Sequence, residues 1–475
     1  MQGSSRSRRD AVASHLQPIV RIADDPNRWS IDERLARYGC PGVAIAVLSD
    51  GAIDWVDGFG SRTAGAASEP IGPDTVFLVA SCSKPVTATL VAQHADAGLI
   101  DLDTDVNVYL RRWKVPENDF TRETPVTLRR ILSHTAGFTV NGWGVVAQNE
   151  PLPDAFDLLE GRPPSVMPAV RVDKAYDGTS RYSGGGYLVA QLVLEDVTGT
   201  DFVELAEKGI FGPLGMDRAT FARPLPASFL DAVHQDVASG HRDDGTPFPG
   251  GWAVPAETAA GGLCCSARDY ATFLLGVRNS FVGRPGSILS QNMAHEMATI
   301  EGSGAFGLGF RVVHDGARLR LNHGGSNDGY QTETNLFPET GEGAVVFTNS
   351  ASGIFLFREV FNSIAEVYEW PDFGPAPKQL VQLDEAEREK YVGTYRIVEG
   401  IEMPLLRVWS EGGRLWNEVP GLRFGVQEVF VDTEGVLFNQ TGPFESRPSF
   451  GPNGRVAELV VLEGSTPVLR AVRSD

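Results

Sequence analysis

The sequence predicts an α+β protein in two parts: a mixed domain closed by strands from its two ends, followed by a small antiparallel β-barrel. Three observations carry this expectation. Strand-like apolar runs flank a long helical middle; a proline-rich stretch without periodicity interrupts the chain near 371–384; and short alternating runs punctuated by glycine turns fill the remainder of the chain. With 475 residues the chain also exceeds what one core sustains, roughly 250–300 residues.

The opening residues to about Asn27 read as a first helix. Two apolar runs, 42–50 and 52–60, join through Asp50-Gly51, a strong hairpin signal. A third, TVFLVA at 75–80, leads into SCSKPVTATLVAQHADAG, a helix that stops at Gly98 and holds Pro85 in its first turn, where a missing N–H costs least. Residues 127–137 read as a short helix and 185–199 as a buried helix closing at Gly199. Strands come next at 317–325 and 341–350, then a helix from about Phe355 to Tyr368. The predicted layout is therefore a large mixed domain over 1–370, a linker over 371–384 and a barrel over 385–475, where YVGTYRIV, PLLRVWSEGGRLWNEV and VAELVVLEG alternate between turns.

Composition removes several function classes. Apolar residues at 42% and charged residues at 21% suit a packed core throughout. A formal charge of −20 repels a phosphate backbone, so no nucleic-acid partner is expected. No window approaches a membrane span and the N-terminal stretch has no apolar run of signal-peptide length, so no membrane partner is expected and a cytoplasmic location is; a leader lost by trimming would change the latter. Cys40, Cys82, Cys264 and Cys265 form no CxxC pair or Cys/His cluster, so neither a disulfide framework nor a metal site is expected, and Cys82 reads as a small packing residue. GSGAFG at 302–307 precedes a strand-like run rather than a helix, which removes the dinucleotide reading. Asp101, Asp103 and Asp105 begin like a calcium loop, but Val106 and Arg112 stand where it needs glycine and glutamate.

The chemistry concentrates at Ser81 and Lys84. One helical turn apart, both side chains can enter one site, with the lysine placed to take the serine's proton. A serine hydroxyl is inert without a base, and a lysine serves as one only where its own charge is suppressed. Of the six lysines, Lys84 alone has a serine three residues before it, and the pair sits at a strand-to-helix junction.

SCSK at 81–84, with the proline after it, resembles the first motif of class C β-lactamases, penicillin-binding proteins and related esterases and peptidases. ILSHTAGF at 131–138 is similar to a segment these proteins carry before their second motif, and YSGGGY at 182–187 resembles that motif's YxN element. HGG at 323–325 stands where relatives carry KTG or HxG. The resemblance spans roughly 28–368 and implies a β-lactamase/transpeptidase-like domain, an antiparallel sheet flanked by helices plus a helical subdomain. It further implies Ser81 as nucleophile, Lys84 and Tyr182 as shared base and acid, His323 in the third motif, and Gly324 and Gly325 giving room for substrate. The oxyanion hole would be the N–H groups of Ser81 and Ser326. His134 reads as a structural hydrogen-bonding residue, the Gly-Gly-Leu segment before Cys264 as packing, and the C-terminal barrel resembles the lipocalin-like domains appended to some members.

Two departures shift the expected substrate. Gly184 stands where β-lactamases place an asparagine, and His323 removes a permanent positive charge that would meet a substrate carboxylate. The expected function is a serine hydrolase that forms an acyl-enzyme on Ser81 and cleaves a small ester or an amide or peptide bond, without metal or organic cofactor. Its partner is that small-molecule substrate. The alternatives are a penicillin-binding D,D-peptidase or D-aminopeptidase, and a catalytically idle sensor of peptides or cell-wall fragments.

Overall fold

The computed structural model describes residues 4–25, 27–65, 68–374, 376–401, 403–421 and 425–474. They divide into two compact units, the first holding the stretch to Ala13 and Ser30–Ile364, the second Ser14–Trp29 and Ala365–Asp475.

The first unit is built on a six-stranded antiparallel sheet in the order Ala52–Gly60, Gly42–Ser49, Glu342–Thr348, Tyr330–Phe337, Arg318–Asn327, Arg311–Asp315. Its two halves come from opposite ends of the domain sequence, and they join where Val43 pairs with Thr348. The predicted hairpin turns at Asp50 and Gly51, both at positive φ (53° and 73°), as a two-residue turn requires. Alternate residues Ala44, Ala46 and Leu48 face a large core shared with Tyr270, Phe273 and Leu274 of the helix Ala267–Phe281.

Between the halves of the sheet lies a mainly helical region. Its centre is the helix Gly184–Thr198, buried along most of its length and packed on the helices Leu128–Leu132 and Ser83–Asp96. An apolar run with no polar stripe, such as LVAQLVL here, marks a helix surrounded by protein. The domain is thus an α+β, β-lactamase/transpeptidase-like fold, and no helix among the described residues is long and apolar enough to cross a membrane.

Two elements differ from the sequence expectation. The first helix ends at Ser14, not near Asn27. Pro18 disfavours helical geometry at Gln17, and the chain beyond it bonds instead within the second unit: Leu16 pairs with Trp29, Ile22 with Lys378, and the Ile19 N–H donates to the Gln440 carbonyl. The strand Tyr330–Phe337 has no counterpart in the sequence pattern, because the middle of its buried face, between Tyr330 and Leu336, carries Thr332 and Thr334.

The second unit closes eight antiparallel strands into a barrel, Gly393–Glu399 through Thr466–Arg473, the last pairing back on the first at Tyr395–Arg473. Inward residues alternate as the sequence pattern implies: Leu406 and Val408, Val429 and Val431, Leu469 and Ala471 fill it. Closure removes the strand edges that would otherwise invite pairing with another chain.

Candidate active site

The strand Val76–Leu78 runs into a 3-10 turn, Ala80–Cys82, and then into the helix Ser83–Asp96. Ser81 therefore sits in the tight turn just ahead of the helix rather than in its first turn. Ala80 adopts φ +50°, a left-handed conformation that costs a residue with a side chain about 1–2 kcal/mol. Buried hydrogen bonds hold it there. Ser83 Oγ donates to the Ala80 carbonyl (2.6 Å) and accepts from the Leu263 N–H (2.9 Å), while Thr332 Oγ1 donates to the Val79 carbonyl (3.0 Å). The tie to Thr332 explains why a threonine lies on the buried face of that strand.

Lys84 is buried, and its Nζ donates to Ser81 Oγ (3.0 Å) and to the Ala260 carbonyl (2.7 Å). No carboxylate pairs with it among the described residues. Lys84 Nζ also lies 4.7 Å from the centroid of the Tyr182 ring. Ser81, Lys84 and Tyr182, widely spaced in sequence, thus meet.

Tyr182 precedes the helix Gly184–Thr198, whose N-cap is Ser183. Ser183 Oγ donates to the Thr139 carbonyl (2.7 Å) and accepts from the Gly186 N–H, and the Ser183 N–H donates to His134 Nδ1 (3.1 Å). His134 is buried with its ring 4.3 Å from that of Tyr182, while Phe306 meets it edge-on at 4.9 Å. His134 thereby fixes the backbone on which Tyr182 stands. Burial, reinforced by the charge of Lys84, holds its pKa well below the usual histidine value, so it is neutral, with Nε2 carrying the proton. The Gly184 departure has a steric cause: a β-carbon there would lie 2.8 Å from the Asn141 carbonyl oxygen, leaving no space for a side chain.

His323 lies on the strand Arg318–Asn327, its ring 6.3 Å from Tyr182. It is buried, its Nδ1–H donates to the Gly324 carbonyl (2.7 Å), and its Nε2 has no partner. Burial first, then Lys84, push its pKa down to about 3. The strand Arg311–Asp315 stops pairing at Asn322, so His323–Asn327 have a strand neighbour on one side only. At Gly325 that edge runs against the nucleophile turn: a β-carbon would stand 2.2 Å from the Val79 carbonyl oxygen and 3.1 Å from the Ser81 nitrogen. Ser326, next along, is exposed.

Cys82 is buried and burial pushes its thiol up to about 12, which suits packing rather than nucleophilic attack. No group of three or more potential metal ligands occurs among the described residues. Two contributors lie outside the sequence expectation: the Ala260 carbonyl and Phe306. Ala260 stands just before the Gly-Gly-Leu segment, where the sequence suggests only packing; Phe306 belongs to GSGAFG, whose sole sequence signal is a failed nucleotide motif.

A sheet built from both ends of the domain, with a serine and a lysine in contact at its junction with the helical region, defines a serine-hydrolase-type protein of the β-lactamase and penicillin-binding superfamily. Residues 29–369 match the family described as Beta-lactamase, and the chain belongs to that family. It is 27% identical over 398 residues to penicillin-binding protein 4 of Amycolatopsis lactamdurans, covering 78% of this chain and 97% of that one. Over 213 residues it is 30% identical to a D-aminopeptidase of Gluconobacter oxydans, covering 44% of this chain and 38% of that protein. Its fold matches the octameric penicillin-binding protein homologue from Pyrococcus abyssi with a TM-score of 0.61 at 22% identity, over 93% of this chain and 98% of that one.

Proposed function

We propose that the chain hydrolyses small esters or amide and peptide bonds through an acyl-enzyme on Ser81. The observation that carries this is the 3.0 Å contact between Lys84 Nζ and Ser81 Oγ, made by a buried lysine whose other hydrogen bond goes to a neutral carbonyl. In the proposed reaction Lys84 and Tyr182 take the hydroxyl proton as Ser81 Oγ attacks the carbonyl carbon. The N–H groups of Ser81 and Ser326 hold the oxyanion, with Gly324 and Gly325 leaving room along the strand. Tyr182 returns a proton to the leaving group, and water then attacks the acyl-enzyme to release the acid and restore the serine. None of these steps calls on a metal or organic cofactor.

The motif order supports placing the chain near the class C β-lactamase-like branch, with the barrel as a lipocalin-like appendage. A penicillin-binding D,D-peptidase or D-aminopeptidase activity is the second reading, favoured by the names of the two relatives; stable acylation by a fluorescent penicillin would select the former. The idle-sensor reading has no use for the lysine–serine contact. Intact-mass labelling with a fluorophosphonate, followed by peptide mapping, tests the proposal. A single adduct on Ser81, absent in Ser81→Ala, is the expected result; an adduct elsewhere, or none on folded protein, would overturn it.

A further inference from the structure

GSGAFG at 302–307, which fails as a nucleotide motif, delivers a phenyl ring to the candidate active site. The chain there turns back on itself: the Glu301 N–H donates to the Phe306 carbonyl (3.0 Å) and the Val312 N–H to the Ala305 carbonyl (2.8 Å). The turn is also pressed onto the segment that leads into Tyr182. The Ser303 N–H donates to the Gly178 carbonyl (2.8 Å), and β-carbons on Gly302 and Gly304 would lie 2.3 Å from the Gly178 carbonyl oxygen and 3.0 Å from Ser180 Cβ. Two glycines of the motif thus answer to close contact with residues 178–180, and that contact fixes where Phe306 stands relative to Tyr182.

The rings of Phe306, Tyr182 and His323 form a nearly equilateral triangle. The centroids of Phe306 and Tyr182 are 6.1 Å apart and those of the other two pairs 6.3 Å apart. At such spacings the rings touch one another and leave no room between them, so they make a wall and not a cage. His134 backs the wall, edge-on to Phe306 at 4.9 Å and 4.3 Å from Tyr182. His323 is buried, whereas Tyr182 and Phe306 are partly exposed, so the part of the wall that reaches solvent belongs to those two residues. A phenyl ring offers a substrate apolar contact alone, and that contact is favourable only where the substrate brings apolar surface to it. In the proposed reaction Tyr182 returns the proton to the leaving group. What stands beside Tyr182 therefore stands beside the departing alcohol or amine.

We infer that Phe306 is a specificity residue that packs on the leaving group, so that the substrates this site takes depart as an alcohol or amine carrying an apolar ring next to the scissile oxygen or nitrogen. This deepens the hydrolase reading and rests on it for the identity of the step.

The test compares ethyl acetate with benzyl acetate, which share an acyl group and release alcohols of similar acidity, each kcat/KM being divided by that ester's rate with hydroxide. Wild type should favour the benzyl ester by about 10-fold or more, the gain from covering one face of a ring. Phe306→Ala should bring the ratio close to one, chiefly by slowing the benzyl ester. Phe306→Leu should give an intermediate ratio, and it serves if the alanine variant does not fold. A ratio near one in wild type would overturn the inference. So would an unchanged ratio in either folded variant, because a purely structural role for Phe306 slows both esters alike. Hydrolysis of neither ester would also overturn it; if Ser81 still takes a fluorophosphonate, the hydrolase reading stands and the leaving-group assignment alone falls.

Discussion

Replacing Gly325 by alanine puts one methyl group where the strand edge meets the nucleophile turn. That β-carbon would lie 2.2 Å from the Val79 carbonyl oxygen, 2.4 Å from Thr332 Oγ1 and 3.1 Å from the Ser81 nitrogen. Since carbon and oxygen settle at about 3.3–3.6 Å, the strand and the turn must separate by about 1 Å. Neither backbone can yield cheaply, because the Thr332 hydroxyl that ties them is itself one of the clashing atoms. Overpacking costs about 1–3 kcal/mol, and the lost buried hydrogen bond adds about 1 kcal/mol. A displacement of 1 Å at the reacting groups costs about 100-fold in rate. The assay is the rate of fluorophosphonate labelling of Ser81 beside the urea midpoint, with Gly72→Ala as control. A β-carbon at Gly72 meets nothing closer than Thr75 Oγ1 at 3.7 Å. If Gly325→Ala matches Gly72→Ala in both measurements, the strand does not press on the turn and the reasoning fails.

The same site yields two further outcomes. His323, with a folded pKa of about 3 against an unfolded value near 6.5, binds its proton only when the chain unfolds. Its contribution to stability is therefore present above pH 6.5 and lost as pH falls toward 3, by about 1.4 kcal/mol per pH unit. Urea midpoints between pH 7 and pH 5 should fall more gently in His323→Asn than in wild type; parallel slopes would refute the assignment. Ser83→Ala removes the hydroxyl that joins the Ala80 carbonyl to the Leu263 N–H, leaving a buried donor unpaired. The expected loss is about 1–3 kcal/mol together with slower labelling of Ser81, and an unchanged urea midpoint would contradict it.

Legibility in the sequence depends on whether a signal is local. The Asp50-Gly51 hairpin, the helix after SCSK and the alternation of the barrel strands are all written within a dozen residues, where periodicity reveals them. Ser81, Lys84, Tyr182 and His323 emerge from motif order, which registers residue types without their partners. The strand Tyr330–Phe337 stays hidden because Thr332 and Thr334 face inward to bond the Val79 carbonyl, far away in the chain, and the His323 carbonyl on the neighbouring strand. Ser14–Trp29 reads as a continuing helix because its backbone partners lie near residues 378 and 440.

The charge pattern around the serine argues for what the substrate must bring. A lysine at position 323 would offer a permanent cation. His323 is instead neutral at pH 7, spends its Nδ1–H on the Gly324 carbonyl, and turns a bare Nε2 acceptor inward. Lys84 Nζ is engaged with Ser81 and the Ala260 carbonyl. Burial raises the pKa of Glu257 against the opposing charges of Lys84 and Arg223. A substrate arriving with a carboxylate would meet acceptors and lose its water without replacement, a penalty of several kcal/mol for a buried ion. One arriving with an N–H donor would meet the Nε2 acceptor that has no partner among the described residues. The missing cation at 323 therefore argues against a substrate that brings a carboxylate to this part of the site.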